Sequence, residues 1–364
     1  MKRIIAALLL GAITTGGCSM ATQSNNAGSL PRPGEIHSQP ASTSLAALHT
    51  PPGIPDGWSD GYVYANGIRI HYYHAPSVPG KPVIVMCHGV TDIGLCWTTL
   101  TWKLQDSYDI YMLDARGHGL SDPSTPSDTR DTMVKDVVDV VHALKLEKPI
   151  LMGHSMGAST VMHLGAEYPD LARAIIMLDP GLTDGGGPGG RGGRGGISRA
   201  SAPSTGPARG AVGGRGAPPP GTPSGTPGRF SLTMFGSPEA LVAQNNHSYE
   251  DLVAICHRDN PKWGIVDCEY WALSKKQYHG NYNTDQRQPT TVGMSTSEAL
   301  AKIAVPALIL KADAPPATRA ANEEAAKVMQ HGKLVHIDGA AHNLHHDQLA
   351  RTVEVIKDFL VTVK

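Results

Sequence analysis

The sequence is short of charge, of aromatic side chains and of any long apolar run. Lys and Arg number 31 against 32 Asp and Glu, 17% of the 364 residues, and the formal net charge is −1. That balance excludes a global attraction to nucleic acid or anionic lipid, and equally an acidic surface built for basic partners. No apolar stretch reaches the roughly 18–20 residues that cross a bilayer as a helix. Cysteine is sparse, with five in the chain and no pair at zinc-ligand spacing, so no metal site is expected. What remains is 40% hydrophobic residues, enough for one large globular domain or two ordinary ones.

Residues 1–21 read as an export signal. Met1-Lys2-Arg3 is basic, and Ile4 to Ile13 forms an apolar region of about ten residues, too short to span a membrane. Gly16-Gly17-Cys18 leaves two processing routes open. Cleavage before Cys18 would place a lipid on that cysteine and tether the protein to a membrane, although Thr15 stands where such sites usually carry Leu. Cleavage after Ala21 would release a secreted protein. Either route predicts an exported protein, in a bacterial periplasm, on a membrane, or outside the cell. Residues 22–57, rich in Ser, Thr, Pro and Ala, predict a flexible tether. In an oxidising compartment Cys256 and Cys268 are close enough for a local bridge, whereas Cys87 ends an apolar run and reads as a buried thiol.

The folded part begins near Trp58. Tyr62 to Ala65 and Ile68 to Tyr73 alternate apolar and polar residues around Asn66-Gly67, which predicts a β-hairpin. Short continuous apolar runs then recur at Val83–Cys87, Ile110–Leu113, Ile150–Met152, Ala174–Leu178, Ala307–Leu310 and Leu334–Ile337. Such runs predict strands buried on both faces, hence parallel. Between them Met133 to Leu144, Met156 to Tyr168, Glu323 to Met329 and Gln348 to Val361 read as helices. The alternation predicts an α/β fold: a doubly wound, mostly parallel sheet formed by residues 58–182 and 301–364. Ligands of such sheets bind at the carboxyl ends of the strands, and every candidate residue below follows a strand.

Two segments interrupt the pattern after the sixth strand. Residues 183–229 form a Gly/Pro/Arg-rich insertion, with 17 Gly, 8 Pro, five Arg and no acid within 185–228. This composition cannot bury enough apolar surface to offset its ordering entropy, so disorder is expected, without a nucleic-acid-binding role. Residues 230–300 carry Tyr249, Trp263, Tyr270, Trp271, Tyr278 and Tyr282 in helix-like pieces. They predict a helical lid over the strand ends, its aromatics either facing an apolar or aromatic part of a small substrate or packing the lid itself.

The chemistry centres on Gly153-His154-Ser155-Met156-Gly157. It follows an apolar strand and opens a helix, the setting a nucleophile elbow requires. Small residues let the chain turn sharply, the turn lifts the serine oxygen from the sheet, and the Met156 amide is aimed at a developing oxyanion. A serine alcohol needs a base. Among 17 histidines, His342 lies just past the last strand in Asp338-Gly339-Ala340-Ala341-His342, where a loop can swing its ring over Ser155. His345 and His346 read as the start of the final helix. For the acid, Asp313 is preferred because it follows the Ala307 strand and gives the chain order Ser, Asp, His. Asp179, at the end of the strand closing at Leu178, is the alternative. The second oxyanion amide is expected from Val90, in the His88-Gly89-Val90-Thr91-Asp92 loop.

Four ordered motifs carry a family resemblance. His88-Gly89, Asp114-Ala115-Arg116-Gly117-His118-Gly119-Leu120-Ser121, the Ser155 pentapeptide and Gly339-Ala340-Ala341-His342 together resemble the α/β-hydrolase fold family of the lid-bearing type. The match covers roughly residues 60–182 and 303–362. The resemblance implies a Ser-Asp-His triad, an acyl-enzyme route and no cofactor, with Arg116-Gly117-His118-Gly119 in a structural role. One departure bears on the acid: Ala312 replaces the glycine that usually ends the strand, and Asp313 comes early. The expected activity is hydrolysis of carboxylic esters or related acyl bonds. Lactone opening, amide or carbon–carbon cleavage and cofactor-free perhydrolysis are alternatives with the same triad, and a ligand-binding protein without turnover is the alternative of another class. Ser155 argues against dehalogenase or epoxide hydrolase chemistry, which uses a carboxylate at that point.

Overall fold

The computed structural model describes residues 51–75, 79–182, 238–280 and 294–363. The export signal with Cys18, most of the tether, the Gly/Pro/Arg-rich insertion and the two margins of the expected lid lie outside the described residues.

Strands β1 (Ser59–Ala65) and β2 (Ile68–Ala75) form the expected antiparallel hairpin. Asn66 and Gly67 have φ of 46° and 80°, the left-handed pair that a two-residue hairpin turn needs. β2 then pairs antiparallel with β4 (Asp109–Leu113). From there the sheet is parallel: β3 (Val83–Cys87), β5 (Ile150–His154), β6 (Ala174–Leu178), β7 (Ala307–Lys311) and β8 (Gly332–His336) complete the order β1-β2-β4-β3-β5-β6-β7-β8. Every residue of β5 and β6 is buried, as strands covered on both faces must be.

Helices cover the two faces through separate cores. On one, a short 3-10 turn (Gly94–Trp97), α1 (Thr98–Leu104) and, at the end of the chain, α10 (Leu349–Thr362) pack Trp97, Leu100, Leu104, Ile356 and Phe359 against the sheet. On the other, α2 (Arg130–Ala143), α3 (Met156–Glu167) and α7 (Thr296–Lys302) supply Val137, Val141, Val161, Leu164 and Leu300. α2 begins where Thr129 and Thr132 cap one another, and α7 where Ser295 and Glu298 do the same. Each such cap stabilises a helix start by about 1 kcal/mol. The helix α8 (Pro316–Ala326) joins β7 to β8, and the four-residue α9 (Leu344–Asp347) precedes α10.

Between β6 and β7 lie α4 (Pro238–Asn245), α5 (Tyr249–Asp259) and α6 (Ile265–Gln277), ahead of α7. A disulfide joins Cys256 of α5 to Cys268 of α6, with Cα atoms 5.5 Å apart. Tyr249, Leu252, Trp263 and Trp271 close a small core around it. Tyr270 turns instead to the sheet core and donates its hydroxyl to the Gly53 carbonyl (2.9 Å). These four aromatic side chains are thus spent on packing. Cys87 is buried, and burial pushes its thiol up to about 12.

Candidate active site

Ser155 stands between β5 and α3 with φ 51° and ψ −108°, a conformation a non-glycine residue holds only when its surroundings force it. The forcing contacts are visible. The Ser155 amide donates to Leu178 O (2.9 Å) on β6, and the Gly157 amide to His88 O (3.1 Å) beyond β3. A Cβ on Gly153 would lie 2.2 Å from the Gly157 carbonyl oxygen, and one on Gly157 would lie 2.0 Å from the Cys87 carbonyl oxygen. The two glycines of the motif are therefore steric requirements of the turn. Met156 opens α3, and among the described residues neither its amide nor that of Val90 donates to a backbone carbonyl outside regular structure.

His342 lies in the loop between β8 and α9. Its Nδ1 donates to Asp179 Oδ2 at 2.6 Å. The ring's other nitrogen, Nε2, is buried and accepts no hydrogen bond among the described residues. The carbonyl of His342 accepts a bond from His154 Nε2 (3.0 Å), and the two rings lie 4.7 Å apart. The residue before the serine thus holds the loop that carries the histidine against the elbow.

The acid on that histidine is Asp179, not the preferred Asp313. Asp179 follows β6 directly, with φ 48°, and is fixed by its own amide bonding Leu310 O (2.7 Å). Besides His342, its carboxylate receives Lys311 Nζ at 2.5 Å and the Ala312 amide at 3.2 Å. Burial alone would raise this carboxyl; the hydrogen bond from His342 and the Lys311 charge hold it well below the usual carboxylate range. Asp313 is directed elsewhere: it accepts from Arg319 (2.5 Å) and the Gly339 amide (2.8 Å), and its side chain is 42% exposed. The early position of Asp313, two residues past β7, turns it onto α8 and away from the imidazole.

Other sequence-singled residues serve the scaffold. Arg116 is buried in ion pairs with Asp136 (2.7 Å) and Asp128 (3.4 Å). His345 and His346, read as the start of the final helix, lie buried in α9 just ahead of it; His346 Nδ1 lies 3.0 Å from Asp267 of α6. His345 is packed between Trp97, tilted against it, and His154, edge to face, with ring centroids 4.8 Å from each. Two lysines escaped sequence reading, Lys311 at Asp179 and Lys275 of α6. Lys311 carries a faint signal, a charge closing an apolar run; Lys275, in Ser274-Lys275-Lys276-Gln277, carries none.

A serine on a strained strand–helix turn, a histidine after the last parallel strand and a buried acid holding that histidine define an α/β hydrolase. The sequence profile of the alpha/beta hydrolase family matches residues 84–355, and the chain belongs to that family. It is 27% identical over 127 residues to epoxide hydrolase 1 of Caenorhabditis elegans, covering 34% of this chain and 31% of that protein. It is 34% identical over 99 residues to 2-(acetamidomethylene)succinate hydrolase of Mesorhizobium japonicum, covering 27% of this chain and 35% of that one. The chain thus spans about a third of the length of these relatives. Among solved structures, naproxen esterase (carboxylesterase NP) from Bacillus subtilis superposes with a TM-score of 0.58 at 17% identity, over 83% of this chain and 91% of that one. At that identity the likeness concerns the fold.

Proposed function

We propose that the chain is a serine hydrolase that cleaves carboxylic esters or related acyl bonds through an acyl-enzyme on Ser155. The observation that carries this reading is the 2.6 Å bond from His342 Nδ1 to Asp179, which fixes the ring's tautomer and leaves Nε2 as its basic nitrogen. In the proposed reaction His342 Nε2 takes the hydroxyl proton of Ser155 while Oγ bonds to the substrate carbonyl carbon. The carbonyl oxygen becomes an oxyanion held by the Val90 and Met156 amides. Its collapse breaks the bond to the leaving group, which departs with the proton from His342. Water, deprotonated by the same nitrogen, then releases the acid and restores Ser155.

A serine at this position favours acyl chemistry over the carboxylate-dependent opening of epoxides. The likeness to a hydrolase of acetamidomethylene succinate makes amides the second acyl class to try. A panel of p-nitrophenyl esters of rising chain length, with amide counterparts, tests the reading. Turnover of at least one ester is expected, lost by roughly 10³-fold or more in Ser155→Ala. Undiminished turnover in that variant sinks the proposal. The helices α4–α6 are proposed to act as a lid, and the N-terminal sequence to direct export, with Cys18 as the lipid-bearing residue. Globomycin that leaves precursor processing unchanged would count against the lipid.

A further inference from the structure

The amide proposed for the oxyanion belongs to a turn that does not hold itself. Thr91, one residue past Val90, has φ 65°. Left-handed backbone is unfavourable for any side chain and most so for a β-branched one. The turn closes through a single backbone bond, Asp92 N to Gly89 O at 3.2 Å. What holds Thr91 there comes from another element. Lys275, near the end of α6, is only 3% exposed. Its Nζ donates to the Thr91 carbonyl (2.9 Å), to Thr91 Oγ1 (2.8 Å) and to Asp92 Oδ1 (3.1 Å), and it lies 5.0 Å from the centre of the Trp271 ring.

Burying an ammonium group is costly, and a long lysine stem near a helix end ordinarily reaches water. Its neighbour Lys276 shows the ordinary case, exposed and bonded to the carbonyls of Asn245, which ends α4, and His247. All three polar contacts of Lys275 fall on two consecutive residues of one turn. Burial would raise the Asp92 carboxyl, and the Lys275 charge keeps it below its usual range instead. A Cβ on Gly89 would sit 3.0 Å from Asp92 Oδ2 and 2.8 Å from His154 Nδ1, so the Asp92 and His154 side chains both crowd that glycine. No small or hydrophobic residue at 275 could supply both the charge for Asp92 and the donors for a strained carbonyl.

We propose that Lys275 is a positioning residue of the reaction: by clamping Thr91 and Asp92 it sets the Val90 amide at the oxyanion, so that α6 completes the site. The inference rests on the acyl-enzyme reading given above. A donor displaced by about an ångström loses much of its effect on rate. The loss should fall on the transition state and leave ground-state binding nearly unchanged.

The test compares wild type, Lys275→Met and Ser155→Ala on p-nitrophenyl acetate and its thiono analogue, with thermal melting alongside. Sulfur accepts hydrogen bonds weakly, so the ester-to-thionoester ratio of kcat/KM reports on the oxyanion donors. For Lys275→Met we expect kcat on the ester to fall by roughly 10–100-fold, with KM within about threefold and the ratio narrowed several-fold. If the melting point falls while kcat and the ratio stay at wild-type values, Lys275 is a structural tether and the proposal is wrong. A kcat loss with an unchanged ratio overturns it equally. Should Lys275→Met fail to fold, Lys275→Gln, neutral but still a hydrogen-bond donor, is read by the same ratio. Failure of the underlying reading looks different: Ser155→Ala would then hydrolyse the ester as well as wild type does, whatever position 275 holds.

Discussion

A carboxylate that orients an imidazole must be dry enough for its charge to matter and bonded enough to stay ionised. Asp179 meets both conditions through His342, Lys311 and the Ala312 amide; Asp313, bonded to Arg319 and the Gly339 amide but 42% exposed, fails the first. The consequence is sharply different outcomes for two conservative substitutions. Asp179→Asn leaves a neutral group that no longer stabilises the imidazolium, and kcat should fall by roughly 10²–10⁴-fold. Asp313→Asn, exposed and paired to Arg319, should keep kcat within about threefold of wild type. Steady-state kinetics on one ester checks both, and the reverse ranking would return the role to Asp313. The sequence named both acids and put Asp313 first; both follow a parallel strand by one or two residues, and nothing local told them apart. Which of them turns inward depends on backbone: Asp179 takes a left-handed conformation locked by the Leu310 carbonyl, and no residue type announces that. Lys275 was illegible, and Lys311 nearly so, for a related reason. A buried lysine looks like a surface lysine until its acceptors, distant in sequence, are placed around it.

At the scale of elements, the elbow is the part most fully legible. Its glycines, its preceding apolar strand and its following helix are all local, and the structure adds only the reason for each. That reason can be tested. In Gly157→Ala the new methyl would collide with the Cys87 carbonyl, a backbone atom of the neighbouring strand that cannot rotate away. The substitution should cost about 3 kcal/mol or more, read as a lower urea midpoint at unchanged slope. A near-neutral change would mean that α3 can retreat from β3, and that the elbow is looser than its contacts imply. The hairpin at Asn66-Gly67 and the six parallel or edge runs were legible for the same local reasons. The aromatic residues of α5, α6 and the turn between them were not: amphipathic pieces rich in Trp and Tyr look alike whether they meet a ligand or one another. Here a disulfide and a shared core take up Tyr249, Trp263 and Trp271.

At the scale of the whole molecule, the unusual feature is how many histidines are held neutral inside. Burial, with the neighbouring His342 second, pushes His154 down to about 3; burial and His88 do the same to His118, and burial beside Arg130 takes His163 to about 4. Each group binds a proton in the unfolded chain near its ordinary value of about 6.5 but not in the fold until far lower pH. Between those limits the unfolded state carries more protons, so stability rises with pH and is lost on acidification. Asp179, depressed in the fold, adds a further loss below about 4. From pH 6.5 to 5 each such histidine withdraws on the order of 2 kcal/mol. Urea denaturation should therefore show a markedly lower midpoint at pH 5 than at pH 7.5. Equal midpoints would mean that these rings reach water. The central claim, that Ser155 is the nucleophile, has a more direct test, which needs no knowledge of the substrate. The protein is treated with a fluorophosphonate, digested, and the adduct located by mass spectrometry. We predict a single adduct on Ser155, absent from Ser155→Ala and much slowed in Asp179→Asn. An unlabelled wild type, or equal labelling of Ser155→Ala, would contradict the account.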